Sequence, residues 1–140
     1  MRIVLDTNVV VSALLWRGTP YRLFQAIRQR EHAQLFTSAA LLEELGKVLI
    51  RPTLAKRLTL IGRATHEVLA DYIDAVELVT PLAIQPVVPA DADDDQVVAA
   101  ALAAEADLLV SGDRHLLALG RFLNILIVSP VDAARLIGDA

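Results

Sequence analysis

Apolar residues fall in short unbroken runs along this chain, separated by longer stretches in which they recur every three or four positions. The short runs are rich in Val, Ile and Leu without polar alternation, which is typical of strands buried on both faces of a parallel sheet. They occupy residues 3–5, 107–110 and 124–128, with 34–37 as a fourth candidate. A further edge strand around 82–85 is compatible with the three prolines between 81 and 89, because edge strands tolerate proline.

The longer stretches have the apolar spacing of helices and alternate with the predicted strands. They cover residues 21–30, 39–50, 62–76, 94–106 and 131–137. This alternation predicts right-handed crossovers, a parallel sheet and helices on both of its faces. The sequence therefore predicts one α/β domain over residues 1–140, a three-layer α/β/α sandwich.

Composition and charge exclude several classes of function. The chain has no cysteine, which excludes thiolate zinc sites, iron–sulfur clusters and cysteine nucleophiles. Its net charge of −4 argues against a polybasic protein. The charge is uneven, because residues 1–70 carry ten Lys and Arg against five Asp and Glu, and residues 71–140 carry three against twelve.

No apolar stretch approaches the roughly 20 residues needed to span a bilayer. An acidic residue at position 6 interrupts the N-terminal apolar run, so a secretory signal is not expected. We therefore expect a cytoplasmic protein without a membrane-spanning segment.

Two acidic residues follow predicted strands. In an open parallel sheet, ligands bind beyond the carboxyl ends of the strands, near the point where strand order reverses. Asp6 directly follows the strand at 3–5, and Asp113 stands three residues past the strand at 107–110. An alternative role for Asp6 is to cap a helix formed by the apolar stretch that follows it.

Two further acidic positions lie on predicted helices. Four aspartates occur within residues 91–95, and their mutual repulsion suggests that a cation shares their charge. A capping box formed by Asp93 and Gln96 would explain part of this cluster. On the helix at 39–50, Glu44 borders the apolar face and Glu43 points away, where it can pair with Lys47. Glu44 is thus the better candidate for a metal or catalytic site. Alternatively, Glu44 is an ordinary surface residue whose aliphatic stem covers the core.

Asp6, Glu44, an acid from 93–95 and Asp113 are therefore predicted to converge on one cleft. Oxygen-only ligands suit Mg²⁺ or Mn²⁺, and such an ion assists hydrolysis of phosphodiesters. Other catalytic motifs are missing from the sequence, which has no Gly-rich phosphate loop and no nucleophile elbow.

These residues resemble the PIN-domain family of metal-dependent ribonucleases, in particular the bacterial and archaeal branch that supplies toxins of type II toxin–antitoxin modules. The resemblance is carried by residues 2–9 (RIVLDTNV), by residues 38–49 with the following Arg51-Pro52, and by residues 91–117, which include ADLLVSGD at 106–113. It implies a set of four ligands for the divalent cation and two supporting polar groups. The implied ligands are Asp6, Glu44, Asp94 and Asp113, and the supporting residues are Asn8 and Ser111.

The sequence departs from the family pattern at three positions. Asp95 stands where Asn is usual, which leaves open whether Asp95 shares or replaces the role of Asp94. Glu105 stands where glycine is common, and His115 where relatives often carry an acid. The resemblance further implies a parallel sheet of four or five strands, a homodimer, and inhibition by a small antitoxin protein.

The main hypothesis is a Mg²⁺- or Mn²⁺-dependent endoribonuclease that acts as a toxin. One alternative is a non-catalytic PIN-like module that binds RNA or serves as a scaffold. Another is a phosphatase of the haloacid dehalogenase type, which uses a second Asp two residues after the first, where this chain has Asn8. We expect RNA to approach over cations of the first half of the chain. These candidates are Arg17, Arg22, Lys47, Arg51 and Lys56.

Overall fold

The computed structural model describes residues 1–82 and 92–138, with the side chains of residues 92–94 left out. The edge strand predicted around 82–85 lies outside the described residues beyond Leu82. Within the described chain, six strands form one sheet in the order β3-β2-β1-β4-β6-β5. The strands are β1 (Arg2–Leu5), β2 (Gln34–Ser38), β3 (Val76–Val79), β4 (Leu108–Val110), β5 (Arg121–Phe122) and β6 (Ile125–Val128).

Helices cover both faces of this sheet. They are α1 (Thr7–Leu15), α2 (Thr19–Gln29), α3 (Ala39–Leu49), α4 (Pro52–Ile61), α5 (Thr65–Ala75), α6 (Ala92–Ala103), α7 (Arg114–Leu119) and α8 (Pro130–Ile137). Alternate residues of β1 enter different cores: Ile3 and Leu5 pack with α1, α2 and their neighbours, whereas Val4 packs with α6. Since successive strand residues point to opposite faces, the predicted α/β/α sandwich is confirmed.

Five strands are parallel, and β5 alone runs antiparallel, against β6. Strand order reverses at the centre, because β1 pairs with β2 on one side and with β4 on the other. Leu5 at the end of β1 is in register with Val110 at the end of β4. The residues that follow these two strands therefore emerge side by side at the switch point of the sheet.

Some predicted boundaries are wrong. The helix expected over 62–76 ends at Ala75, and Val76 begins β3, an edge strand with exposed Glu77 and Leu78. The short elements α4, α7 and β5 were not predicted at all. For α4 the usual signals are present, with Pro52 in its first turn and Gly62 in a left-handed conformation after its last.

Helix α6 ends in a Schellman motif that places a non-glycine residue in the left-handed region. The Glu105 amide donates to Leu102 O at 3.1 Å, and the Ala106 amide donates to Ala101 O at 2.9 Å. Glu105 accordingly has φ = 51°, a conformation that favours glycine. This is the position at which the family resemblance indicates glycine.

None of the helices in the described part of the chain is long and apolar enough to cross a membrane.

Candidate active site

Asp6 lies at the centre of the sheet edge, held by backbone and side-chain hydrogen bonds. Its amide donates to Val110 O at 2.9 Å, which continues the pairing of β1 with β4. Its Oδ1 accepts the Thr7 amide at 2.8 Å, and its Oδ2 accepts the Ser111 hydroxyl at 2.7 Å. Asp6 is also the N-cap residue of α1, so the capping role and a role in the site are both compatible with its position.

Ser111 joins the two acids that follow neighbouring strands. It is fully buried, and its amide donates to Val128 O at 3.0 Å. Its hydroxyl donates to Asp6 and accepts the Asp113 amide at 2.9 Å. Ser111 therefore fixes the Asp6 carboxylate relative to the backbone of Asp113, in keeping with its predicted supporting role.

Glu44 reaches the same edge from α3. The Thr7 hydroxyl donates to Glu44 Oε2 at 3.1 Å, and Thr7 is itself buried. Glu43 instead pairs with Lys47 at 3.2 Å, with side chains 70% and 73% exposed. The predicted helix phase is confirmed, since the two adjacent glutamates have opposite environments.

Asp113 caps α7 in addition to standing near the other acids. Its Oδ1 accepts the amides of His115 and Leu116, at 2.7 and 3.2 Å. The imidazole Nδ1 of His115 lies 3.5 Å from the same oxygen. This capping role was missed in the sequence, although an Asp followed by a short apolar helix is its usual signal.

The remaining predicted site residues are Asp94, Asp95 and Asn8, and the structure describes them to different extents. Asp94 lies in the first turn of α6, but its side chain is outside the described residues. Asp95 is partly buried on the same turn. Asn8 is exposed on α1 and forms no hydrogen bond to Asp6, Glu44 or Asp113 within the described structure, so its supporting role stays a prediction.

Sequence comparison assigns the family. The family model of the PIN domain matches residues 2–115, a span that contains Asp6, Glu44, Asp94 and Asp113. The chain belongs to the PIN domain family. A comparison with curated proteins finds no match.

The PIN fold is also seen in a solved structure. A chain in the crystal structure of VapBC2 from Rickettsia felis, bound to a DNA fragment from their promoter, superposes with a TM-score of 0.63. The two chains share 15% sequence identity, and the match covers 92% of this chain and 98% of the other. At this identity the likeness shows the fold alone.

The donor atoms of this PIN domain fit a hard divalent cation in chemistry, because Asp6, Glu44 and Asp113 supply carboxylate oxygens only. Among the described side chains, however, no three acidic residues or histidines form a group that could hold a metal ion. An ion at this edge would thus need donors beyond those three carboxylates, and Asp94 is the candidate from the sequence.

Among the described residues that contact these acids, Thr7 was passed over by sequence reasoning. No local signal pointed to it, because its partner Glu44 lies 37 positions away. Its donation to Glu44 links α3 to the end of β1. The PIN domain thus connects three acids from three distant segments through two buried hydroxyl residues, Thr7 and Ser111.

Proposed function

We propose that this PIN domain protein is an endoribonuclease that depends on Mg²⁺ or Mn²⁺ and hydrolyses RNA phosphodiester bonds. The observation that carries the proposal is the chain of hydrogen bonds from Glu44 through Thr7, Asp6 and Ser111 to Asp113 at the switch point of the sheet. Within this chain the carboxylates of Asp6 and Glu44 each accept a hydroxyl hydrogen bond, and carboxylate oxygens are the donors that a hard divalent cation prefers.

The chain's own residues orient the carboxylates. Ser111 donates a hydroxyl hydrogen bond of 2.7 Å to Asp6, a length typical of a strong bond to an ionised acceptor, and Thr7 donates a longer one of 3.1 Å to Glu44. Their burial keeps water from competing for these contacts. Asp6 and Glu44 are therefore presented in fixed rotamers before substrate arrives, which lowers the cost of ordering the site during the reaction.

Asp6, Glu44, Asp94 and Asp113 would hold the ion, with Asn8 and Ser111 as supporting groups and Asp95 as the alternative to Asp94. A divalent cation there would supply the positive charge that stabilises a phosphodiester as negative charge builds up during hydrolysis.

The proposal includes a role as the toxin of a toxin–antitoxin pair, inhibited by a small antitoxin protein and acting as a homodimer. This role is supported by the resemblance to toxin PIN domains and by the fold shared with a chain of VapBC2. A ribonuclease of this kind acts where cellular RNA is made and used, so the proposal places the protein in the cytoplasm.

The two alternatives make different predictions. A haloacid-dehalogenase-like phosphatase would need an acid two residues after Asp6, and the residue there is the exposed Asn8. A non-catalytic RNA-binding or scaffold module would bind RNA without cleaving it. The hydrogen-bonded acids favour catalysis over a scaffold role, because a binding module has no need to bring carboxylates together against a polyanion.

Adjacent glutamates provide the matched test. Purified Glu44→Gln and Glu43→Gln variants are compared with the unaltered protein for cleavage of a single-stranded RNA, with Mg²⁺, with Mn²⁺ and with chelator. Glu44→Gln keeps the side-chain size and an acceptor for Thr7 but removes the negative charge, so we expect cleavage to fall by about 100-fold or more, as when a charged catalytic contact is lost. Glu43→Gln removes only an exposed ion pair worth about 0.3–0.5 kcal/mol and should leave the rate unchanged.

Three outcomes would contradict the proposal. Cleavage that persists in chelator would show that the reaction does not require a metal ion. Hydrolysis of a phosphomonoester but not of RNA would favour the phosphatase. RNA binding without cleavage in either metal would favour the scaffold. Circular dichroism of both variants checks that the fold is retained.

A further inference from the structure

A second concave site lies at the far end of α1 from Asp6. It is a cavity of about 340 Å³ lined by residues of α1, α2, α4 and α5 and of the segments that join them. Helix α1 spans nine residues, so its two ends are about 13 Å apart at 1.5 Å per residue. The cavity is therefore separate from the cluster of acids.

Four guanidinium groups and one carboxylate line this cavity. They belong to Arg17, Arg28, Arg57, Arg63 and Asp71. Arg63 is neutralised locally, since it lies 2.7 Å from Asp71 and 3.8 Å from Glu67. Arg17, Arg28 and Arg57 form no ion pair with any acidic residue in the described part of the chain. The cavity thus concentrates positive charge in a protein whose net charge is −4.

Aromatic rings hold three of these arginines in place. The Arg17 guanidinium lies 4.4 Å from the centre of the Tyr21 ring, that of Arg57 lies 5.1 Å from Trp16, and that of Arg28 lies 5.4 Å from Phe24. A guanidinium that lies over a ring is restrained by that contact, and one terminal nitrogen of Arg17 also donates to the Tyr21 hydroxyl. Guanidinium N–H groups form paired hydrogen bonds to planar or tetrahedral oxyanions.

One of the hydrogen-bond donors of Arg57 is used within the fold. Its Nε donates to Leu15 O at 2.8 Å, which satisfies a carbonyl at the end of α1. Its two terminal nitrogens form no hydrogen bond with other described residues. The side chain is therefore positioned by the protein, and its terminal N–H groups are available to a ligand.

We infer that this cavity, lined by Arg17, Arg28 and Arg57 over their aromatic rings, binds the phosphate group of a nucleotide or of an RNA strand. A phosphate fits better than a carboxylate. The positive charge of three arginines without acidic partners exceeds the single negative charge of a carboxylate. It is better matched by a doubly charged phosphomonoester or by successive phosphodiesters. The inference does not depend on nuclease activity, because the site lies apart from the acids and is tested by binding.

Trp16 provides a direct signal for occupancy. It is the only tryptophan in the chain, it is 41% exposed, and it lies against Arg57 at the cavity wall. A ligand that draws Arg57 toward an anion changes the surroundings of the indole ring. Intrinsic fluorescence therefore reports on this cavity rather than on the acidic site.

The experiment uses Asp6→Asn protein in chelator, so that RNA stays intact whatever the activity of the acidic site. Uridine 5′-monophosphate, uridine, a 5′-hydroxyl hexauridylate and hexaglutamate are titrated, with Trp16 fluorescence and calorimetry as readouts. In the same background, an Arg17→Gln/Arg28→Gln double variant is compared with Arg121→Gln, which removes an exposed cation of β5 that does not line the cavity.

We expect uridine 5′-monophosphate or hexauridylate to bind and uridine not to bind. The double variant should weaken binding by about tenfold or more, because hydrogen bonds to charged groups are the strong ones, while Arg121→Gln should change it by less than about twofold, as for an exposed charge. Tighter binding of the hexauridylate assigns the site to an RNA strand, and tighter binding of the mononucleotide to a free nucleotide. Preferential binding of hexaglutamate, an equal loss in Arg121→Gln, or no binding of either phosphate ligand overturns the proposal.

Discussion

Glu105 adopts a backbone conformation that costs free energy, and its side chain forms no hydrogen bond within the described structure that would compensate for this cost. Its φ of 51° costs a residue with a Cβ atom about 1 kcal/mol relative to glycine. We expect Glu105→Gly to raise the free energy of unfolding by about 0.5–1 kcal/mol, because relief of this strain exceeds the added entropy of the unfolded chain. Denaturant unfolding followed by circular dichroism measures the change.

Gly62 is the matched control for that substitution. It ends α4 with φ = 70°, and a Cβ atom added there would meet no other atom within 4 Å. Gly62→Ala should therefore lower stability through backbone conformation alone, by about 1 kcal/mol. If Glu105→Gly were destabilising and Gly62→Ala neutral, the Schellman explanation of the α6 terminus would be wrong.

Tyr72 is buried in the core beside Phe24, with ring centres 6.1 Å apart. Burial raises the pKa of Tyr72 well above its ordinary value, and its hydroxyl has no hydrogen-bond partner among the described residues. An unfolded chain releases the phenol proton near pH 10, whereas the folded chain keeps it. Unfolding therefore releases a proton above about pH 10, and the free energy of unfolding falls as pH rises, by up to about 1.4 kcal/mol per pH unit for one group.

The Tyr72→Phe variant removes this contribution. We expect its stability to fall less steeply than that of the unaltered protein between about pH 10 and 11, in urea unfolding at a series of pH values. Tyr21→Phe is the matched control for removal of a phenol, since Tyr21 lies beside Arg17 and is only partly buried. Identical slopes for Tyr72→Phe and the unaltered protein would mean that the phenol is not buried in solution.

At the scale of single elements, Asp113 has two roles that different substitutions separate. It caps α7 through its Oδ1, and it is a predicted ligand in the acidic site. Asp113→Asn retains a good cap and should leave stability within about 0.5 kcal/mol, whereas Asp113→Ala should lose about 1 kcal/mol. Both should lose ribonuclease activity to a similar extent, because both remove the charge.

Thermal unfolding and RNA cleavage of the two variants provide the measurements. Retained activity in Asp113→Asn would limit Asp113 to its structural role. Ser129→Ala is the control for capping, because Ser129 caps α8 through the Asp132 amide at 3.2 Å. It should lose similar stability without loss of cleavage.

The elements that the sequence predicted best are those with the strongest burial pattern. β1, β4 and β6 are apolar on both faces, as central parallel strands must be, and their boundaries agree within one residue. β3 was missed because its two middle residues are exposed and its two end residues only partly buried, so that this edge strand lacks a continuous apolar signal. The antiparallel β5 has two residues, too few for any periodicity.

The site was predictable to the extent that it follows from strand ends and helix phase. Asp6 and Asp113 follow buried strands, and Glu44 borders the apolar face of α3. Side-chain partners were not predictable, because the Thr7–Glu44 contact joins residues 37 positions apart. Such a contact depends on how α1 packs against α3, and one sequence does not encode that packing in a local pattern.

At the scale of the whole molecule, metal binding should stabilise the fold. An ion that binds the folded chain and not the unfolded one adds about RT ln(1 + [L]/Kd) to the free energy of unfolding. We expect millimolar Mg²⁺ or Mn²⁺ to raise the melting temperature by a few degrees, at about 4 °C or less per kcal/mol for a domain of this size. Differential scanning calorimetry with and without chelator measures the shift.

Asp6→Asn and Asp74→Asn form the matched pair for this shift. Asp74 is exposed on α5, away from the carboxyl edge of the sheet. The shift should disappear in Asp6→Asn and persist in Asp74→Asn. A shift of equal size in both would assign the stabilisation to general screening of a negatively charged protein.

The pairing of β1 with β4 has a consequence for the time at which activity can arise. Ser111 and Asp6 are 105 positions apart, so a ribosome that has made the chain as far as Glu44 has produced Asp6 and Thr7 without the serine that orients Asp6. Chains grow at about 5–20 residues per second, so several seconds of synthesis separate the two halves of the site. If the protein cleaves RNA, the nascent chain is harmless to the messenger and ribosome that produce it until β4 docks beside β1.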